Sequence, residues 1–296
     1  MNNIERCPIC DHGSLVTFLS TNDFANTKET FTLKQCKACN FVLTAEQPSV
    51  DELSKYYDYG NYISHQHRAY NFIDKLYFFV RDYTLKQKLR LVNDLNTGTT
   101  RNILDFGCGT GDFLKTCKQS GWLTFGVEPM AQARTLAIQN GIANATASLE
   151  VIKTEVDVIT LWHVLEHVSD LNTTIRELKK RLNQNGTLII AVPNRSSWDA
   201  KHYGEFWAGY DVPRHLWHFS KEDIKNIASR HSLALIGIKP MLFDSSYVSL
   251  LSEKYKRGRQ TTTGIMTAAI NGLRSNLYAR ANGNYSSLIY ILKHEA

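Results

Sequence analysis

Apolar residues in this chain fall into two kinds of run. From residue 100 onward, short continuous runs alternate with stretches of helical period. Asn102–Phe106, Leu123–Val127, Asp157–Leu161, Thr187–Val192 and Leu233–Lys239 read as buried strands. Ala143–Ala147 reads as a weaker strand and Ser286–Leu292 as the last one. Between them the spacing predicts helices at Gly111–Ser120, Ala131–Gln139 and Leu171–Leu182, with helical turns through His167. Asn183–Gly186 reads as a turn and Pro193 as a strand stop. Ser220, with Glu222 and Asp223 behind it, reads as the cap of a helix running to about His231. Strand–helix alternation predicts an α/β fold, doubly wound, with a mostly parallel seven-stranded sheet.

Two further helical patterns flank this alternation. Phe72, Ile73, Leu76, Phe79, Val80, Tyr83, Leu89, Val92 and Leu95 recur at helical spacing from about Ala69, until Asn96-Thr97-Gly98 ends the run. An aromatic stretch precedes it: Tyr56, Tyr57, Tyr59, Tyr62, His65 and His67. Met266, Ile270, Leu273 and Leu277 predict an inserted amphipathic helix before the last strand. No internal repeat or low-complexity tract is present.

The 296 residues are 43% hydrophobic and 21% charged, with a mean hydropathy of −0.29. That is globular composition, enough for one large domain or about two units. No apolar run nears the roughly 20 residues of a spanning helix. The start, MNNIERCPIC, lacks a secretory layout. The expectation is a soluble cytoplasmic protein. The net charge is +6, and Leu251–Tyr285 alone carries Lys254, Lys256, Arg257, Arg259, Arg274 and Arg280 against one acid, Glu253. Such a field suits an anionic partner (a nucleotide-linked substrate, nucleic acid or a membrane surface), and a solvated loop would carry it equally well.

Four of six cysteines form two pairs, Cys7/Cys10 and Cys36/Cys39, separated by 25 residues. Two CxxC knuckles closing one loop predict a tetrahedral thiolate site for zinc, a small zinc ribbon over 1–47. With little apolar material in 1–45, ligation would supply most of its folding energy. A disulfide framework fits poorly with a reducing compartment, and a lone redox pair fits poorly with two such pairs. Cys108 and Cys117 read as core or loop thiols.

Ile103-Leu104-Asp105-Phe106-Gly107-Cys108-Gly109-Thr110-Gly111-Asp112 ends a buried strand and opens a helix. Glycines there permit a tight turn and close backbone approach to a ligand. A dinucleotide fingerprint would need a third glycine where Asp112 stands, and a phosphate loop would need a lysine that is missing. Asp105 and Asp112 repel pyrophosphate but suit a cationic ligand, and S-adenosylmethionine carries an ammonium and a sulfonium. Glu128, at the end of the second strand and 17 residues after Gly111, can accept hydrogen bonds from ribose hydroxyls.

With LDFGCGTG, VEPM, VDVITLWHVLEHV and LNQNGTLIIAVPN, residues 100 to 240 and the terminal strand resemble the class I S-adenosylmethionine-dependent methyltransferases. The likeness is strongest to the branch containing the ubiquinone-biosynthesis O-methyltransferases. It implies a Rossmann-like methyltransferase fold. It implies Asp105 and Gly107 near the methionine moiety, with Gly109 and Gly111 in the same turn, Glu128 on the ribose and Met130 against the adenine. Ser148 and Leu149 stand where an adenine-edge acid is usual, and Trp162 joins the donor site at the end of the fourth strand. Zinc-bearing relatives, including nucleotide-sugar C-methyltransferases, carry a similar N-terminal module.

His163-Val164-Leu165-Glu166-His167 matches an inverted metalloprotease pattern, but its place after strand four argues against that reading. Ubiquinone-type relatives carry a Glu-x-x-Glu-His cluster there, a candidate divalent-ion site whose first Glu is His163 here. Hydrogen bonds that fix the loop are the plainer role for Glu166 and His167. The loop Phe206–Ser220 holds aromatics, Arg214, His215 and His218, and could wall an acceptor pocket. Arg214 would pair with Asp211, and Trp217 and Phe219 would be core. His163 and then His215 are the candidate proton acceptors. The expected organisation is 1–47 zinc ribbon, 48–99 helical and aromatic linker and lid, and 100–296 methyltransferase domain with a helical insert at about 244–285. The expected reaction is O-methylation of a sugar-like or other hydroxylated small metabolite, with the basic insert suiting an anionic one. C- or N-methylation of a nucleotide sugar, and a zinc-ribbon nucleic-acid-binding protein, stand as alternatives.

Overall fold

The computed structural model describes residues 1–49, 52, 54–56, 72–96 and 100–295. Tyr57, Tyr59, Tyr62, His65, His67, Ala69, Thr97 and Gly98, named above, lie outside the described residues. The chain divides into two compact units. One takes in the described residues of Met1–Tyr57, His163–Asn172 and Ile190–Ile291, and the other those of Asp58–Trp162, Thr173–Ile189 and Leu292–Ala296.

The elements run in order as follows. The N-terminal strands are β1 (Asn2–Asn3), β2 (Leu15–Asn22), β3 (Thr30–Cys36), β4 (Val42–Thr44) and β5 (Glu46–Gln47). A long helix α1 (Phe72–Leu95) leads to β6 (Asn102–Phe106), α2 (Asp112–Gln119), β7 (Leu123–Val127), α3 (Ala131–Gln139) and β8 (Ala145–Thr146). Then come β9 (Val156–Trp162), α4 (Leu171–Arg181), β10 (Leu182–Pro193), α5 (Trp198–Tyr203) and β11 (Trp217–His218). The chain closes with α6 (Lys221–Arg230), β12 (Leu233–Pro240), α7 (Asp244–Arg257), α8 (Thr262–Asn282) and β13 (Ser287–His294).

The main sheet has seven strands in the order β12-β13-β10-β9-β6-β7-β8. β6 pairs in parallel with β7 and with β9, and β7 with β8. The chain steps outward from β6 through β7 to β8, then returns to β9 on the other side of β6. That reversal is a topological switch point, where open α/β sheets bind ligands outside the strands' carboxyl ends. Strand β9 is buried at every position but its last, as expected of a parallel strand covered on both faces. In α2, Phe113, Leu114 and Cys117 are buried, the one-sided pattern of a crossover helix. Ser220 caps α6 in a capping box: its hydroxyl faces the Asp223 amide, and the Asp223 side chain accepts from the Ser220 amide. The expected turn at Asn183–Gly186 is extended and belongs to β10, with Asn183 donating to Asp157 at 2.8 Å.

A second sheet runs β11-β4-β3-β2. Its pairs β2–β3, β3–β4 and β4–β11 are antiparallel. Phe31, Leu33, Phe41, Val42 and Leu43 are all buried, and Phe31, Leu33 and Val42 pack with Trp207, Tyr210 and Val212. Each such side chain contributes roughly 1.5–3 kcal/mol. Apolar burial therefore supports this segment in addition to any contribution from ligation. Among the described residues no helix is long and apolar enough to cross a membrane.

Candidate functional site

The parallel register brings the glycine turn and the acidic strand ends to one edge. Phe106 lies opposite Val127, Val127 opposite Thr146, and Asp105 opposite Thr160. Gly107, Glu128 and Ser148 thus follow neighbouring strands at their carboxyl ends, and Trp162 is the last residue of β9. Gly107, Gly109 and Gly111 have φ of 79°, 54° and 81°, values that glycine adopts without the steric cost of a Cβ. A Cβ on Gly111 would also meet Ile142 at 2.9 Å. The turn is fastened to the next strand: the Gly109 and Met130 amides each donate to the Glu128 carboxylate at 2.9 Å. Arg134 donates to the Glu128 and Pro129 carbonyls. Of the expected adenine-side residues, Leu149 is buried, whereas the Ser148 hydroxyl is used locally, accepting from the Glu150 amide. Asp112 opens α2 4.0 Å from Arg81, and its carboxylate is favoured there by the helix dipole.

Asp105 is 3% exposed and accepts a 2.6 Å hydrogen bond from Thr160. Burial pushes its carboxyl up to about 7, helped by nearby Glu128, while Thr160 and the Lys88 charge pull it down. The Lys88 ammonium lies 4.3 Å from the Trp162 ring centre, a cation–π contact, and Phe113 meets the same indole edge-on. Sequence reasoning missed Thr160 and Lys88. A lone hydroxyl in the otherwise apolar end of β9 was the available signal for Thr160. Lys88 reads as one more helix-surface lysine.

The histidines form a separate group. His163 has φ 57°, a left-handed conformation that a side chain rarely adopts. Its amide donates to the Ala191 carbonyl. Its ring sits 3.0 Å from Asp244 and 3.4 Å from Glu166. Burial alone would lower its pKa, but the two carboxylates prevail and hold it up at about 10. These two contacts hold the ring toward its charged form, which fits a fixed cation better than a proton acceptor.

Glu166, His167 and His215 offer ligand atoms within 4.8 Å of one another. The Nδ1 atoms of His167 and His215 face the Arg214 and Gly209 carbonyls at 3.0 and 2.9 Å. A carbonyl only accepts, so Nδ1 of each ring is the donor there. The trio can hold a cation or share a proton. Burial and the neighbouring His215 press the His167 pKa down to about 4, while Glu166 stays ionised despite burial because His163 contacts it. The loop is held by Arg214, which donates to Asp211, Asp23 and the Tyr56 carbonyl. Trp217 and Phe219 are core.

The two CxxC knuckles have the same backbone. Asp11 donates to the Cys7 carbonyl and Asn40 to the Cys36 carbonyl. Both closing residues are left-handed, at φ 61° and 63°, a region that Asp and Asn tolerate. Cys7 Sγ lies 3.5 Å from Cys39 Sγ, and Cys10 Sγ 3.5 Å from Cys36 Sγ. All four sulfurs lie within 4.8 Å of one another. Ligands about 2.3 Å from a tetrahedral zinc stand about 3.8 Å apart, so the set has the right size for one ion.

A glycine turn, a carboxylate at the end of the next strand and a buried acid at the switch point of a parallel sheet define a nucleotide-type binding domain of the α/β class. The chain belongs to the methyltransferase domain family, whose model matches residues 66–236, and it carries an S-adenosylmethionine-dependent methyltransferase domain. The ubiquinone biosynthesis O-methyltransferase of Haemophilus ducreyi is 30% identical over 110 residues, 32% of this chain and 47% of that protein. That of Bartonella tribocorum is 29% identical over 150 residues, 45% of this chain and 60% of that protein. The chain spans about half the length of the curated relatives it matches. Magnesium protoporphyrin IX methyltransferase from Synechocystis with bound SAH superposes with a TM-score of 0.55 at 13% identity, covering 83% of this chain and all of that one. A Thermotoga maritima S-adenosylmethionine-dependent methyltransferase, a possible histamine N-methyltransferase, gives 0.50 at 16% identity, covering 75% of this chain and 94% of that one. These two likenesses show the fold.

Proposed function

We propose that this protein transfers the methyl group of S-adenosylmethionine to a hydroxyl of a sugar-like or other hydroxylated small metabolite in the cytoplasm, with an anionic acceptor suiting the basic insert. The observation that carries the donor assignment is the convergence of Asp105, the Gly107–Gly111 turn and Glu128 at one sheet edge in a chain of this family. In this reading Asp105 and Gly107 meet the methionine end, Glu128 the ribose, and Met130, Ser148 and Leu149 the adenine. Gly109 and Gly111 keep the turn clear, and Trp162 with its Lys88 contact closes the donor site. O-methylation is favoured by the likeness to O-methyltransferases of ubiquinone biosynthesis.

Transfer is a displacement: the acceptor oxygen bonds the methyl carbon as the carbon–sulfur bond breaks, leaving S-adenosylhomocysteine and one proton. The protein's part is alignment of the reactants and removal of that proton. We assign the proton to His215, whose ring is held by its Nδ1 contact with the Gly209 carbonyl. Glu166 would stabilise the imidazolium so formed. His163, held toward its charged form, supplies a fixed positive charge suited to an anionic acceptor.

Cys7, Cys10, Cys36 and Cys39 would hold one structural zinc in a 1–47 module, with 48–99 as linker and lid and 100–296 as the transferase domain. Labelled S-adenosylmethionine incubated with the protein and a metabolite extract should place its methyl on a hydroxyl oxygen. Label found on carbon or nitrogen of a nucleotide sugar would replace this reading with the sugar-methylating one. Retention on RNA with no methylated metabolite would support a nucleic-acid-binding role.

A further inference from the structure

The insert between β12 and β13 is a helical hairpin, α7 and α8, built the opposite way round from a surface helix. In α8 the buried residues are Gly264, Ala268, Asn271, Gly272, Ser275 and Ala279. In α7 they are Ser245, Ser249, Ser252 and Glu253. A Cβ on Gly272 would lie 2.8 Å from the Ser246 backbone, so the two helices touch nearly backbone to backbone. The large apolar residues point outward instead. Met266 is 67% and Leu273 64% exposed, with Ile270, Leu277 and Tyr247 exposed beside them. Met266, Ile270, Leu273 and Leu277 follow one another at steps of four, three and four, one continuous stripe. Small residues between helices and large apolar ones outside is how helices pack in an apolar medium. In water such a stripe marks an interaction face.

Charge decides what covers it. Arg274, four residues after Ile270, and Arg280, three after Leu277, lie along the same stripe. Lys254, Lys256, Arg257 and Arg259 crowd the tip of the hairpin, and all six cations are exposed. The two acids of residues 244–285 are engaged: Asp244 with His163 at 3.0 Å, Glu253 with Arg257 at 2.7 Å. A second copy on this face would bring like charges together over a flat apolar stripe. A layer of anionic headgroups over acyl chains satisfies both features. No described helix can cross a membrane, so the hairpin would lie in the interface. We propose that the α7–α8 hairpin docks this protein on an anionic phospholipid surface, its apolar stripe in the acyl boundary and its Lys and Arg side chains among the headgroups.

Flotation of the full chain with lipid vesicles tests this. Wild type should float with vesicles of equal parts phosphatidylcholine and phosphatidylglycerol at low salt, lose most of that binding at high salt, and stay behind with phosphatidylcholine alone. Ile270→Asp with Leu273→Asp should abolish flotation. Arg274→Ala and Arg280→Ala, which leave every apolar contact in place, should each weaken it roughly fivefold. S-adenosylmethionine affinity and circular dichroism should stay at wild-type values in all variants. Wild type that does not float with the anionic vesicles, or floats equally with neutral ones, overturns the proposal. So does a stable dimer in light scattering that the Ile270→Asp and Leu273→Asp changes dissolve, because the face then belongs to a second copy.

Discussion

Thr160 donates a 2.6 Å hydrogen bond to Asp105 from the neighbouring parallel strand, and the pair is wholly buried beneath the glycine turn. The bond steadies a carboxylate that burial would otherwise neutralise, leaving its pKa at about 7 instead of the ordinary 3.8. A group so poised is a poor contributor to stability and a good receiver for a cationic ligand.

The sign of its effect on stability follows from proton linkage. Between about pH 4 and 7 the folded protein holds a proton on Asp105 that the unfolded chain has released. This group's contribution to stability therefore falls as pH rises through that window and levels off above it. Asp105→Asn should remove that decline, on the order of 2–4 kcal/mol, and leave the apo protein more stable than wild type at pH 8. The same variant should bind S-adenosylmethionine at least tenfold more weakly. Denaturant midpoints at pH 5 and pH 8 check the first statement and calorimetry the second. A wild type and variant with parallel pH profiles would refute the linkage.

Glu128 ties together two backbone amides, and the proposed donor site gives it the ribose as well. Glu128→Ala should cost roughly 1.5–3 kcal/mol of donor binding and loosen the Gly109 turn. Gly109→Val puts a branched side chain at φ 54° and should abolish donor binding. Wild-type affinity in both variants would place the donor elsewhere.

Protein purified without chelator should contain about one zinc per chain. Cys36→Ser or a strong chelator should lower the Tm while the buried Phe31, Leu33 and Val42 cluster retains part of the β-sheet signal. Metal-free protein with four free thiols and an unchanged Tm would dismiss the zinc site.

Once an acceptor is known, His215→Ala should lower turnover while leaving donor Kd intact. His163→Gln should raise the acceptor KM, and Glu166→Gln should lower kcat. Unchanged turnover in His215→Ala would leave alignment alone as the mechanism. Loss of turnover on chelation, restored by a divalent ion, would reassign Glu166, His167 and His215 to metal binding.

Much of this site was legible because its signals are local. The glycine turn with Asp105 just before it, the acid that ends the next strand and each cysteine pair are each legible within a few residues of chain, and backbone geometry dictates their types. Thr160 and Lys88 escaped because they act through space, across a sheet register and from a helix remote in sequence. The pairing of Trp217 and His218 with Leu43 and Val42 joins strands more than 170 residues apart, and a two-residue strand carries no periodicity of its own. The stripe Met266–Leu277 was read as amphipathic, yet its large residues face outward. Periodicity shows which residues share a face, and the Gly, Ala and Ser positions show which face packs.

Calorimetric titration of the purified chain with S-adenosylmethionine, NAD and NADP tests the donor assignment most directly. The site described here predicts one saturable binding event per chain for S-adenosylmethionine, lost in Gly109→Val, with no heat from either dinucleotide. Binding of NAD or NADP with none of S-adenosylmethionine would contradict it.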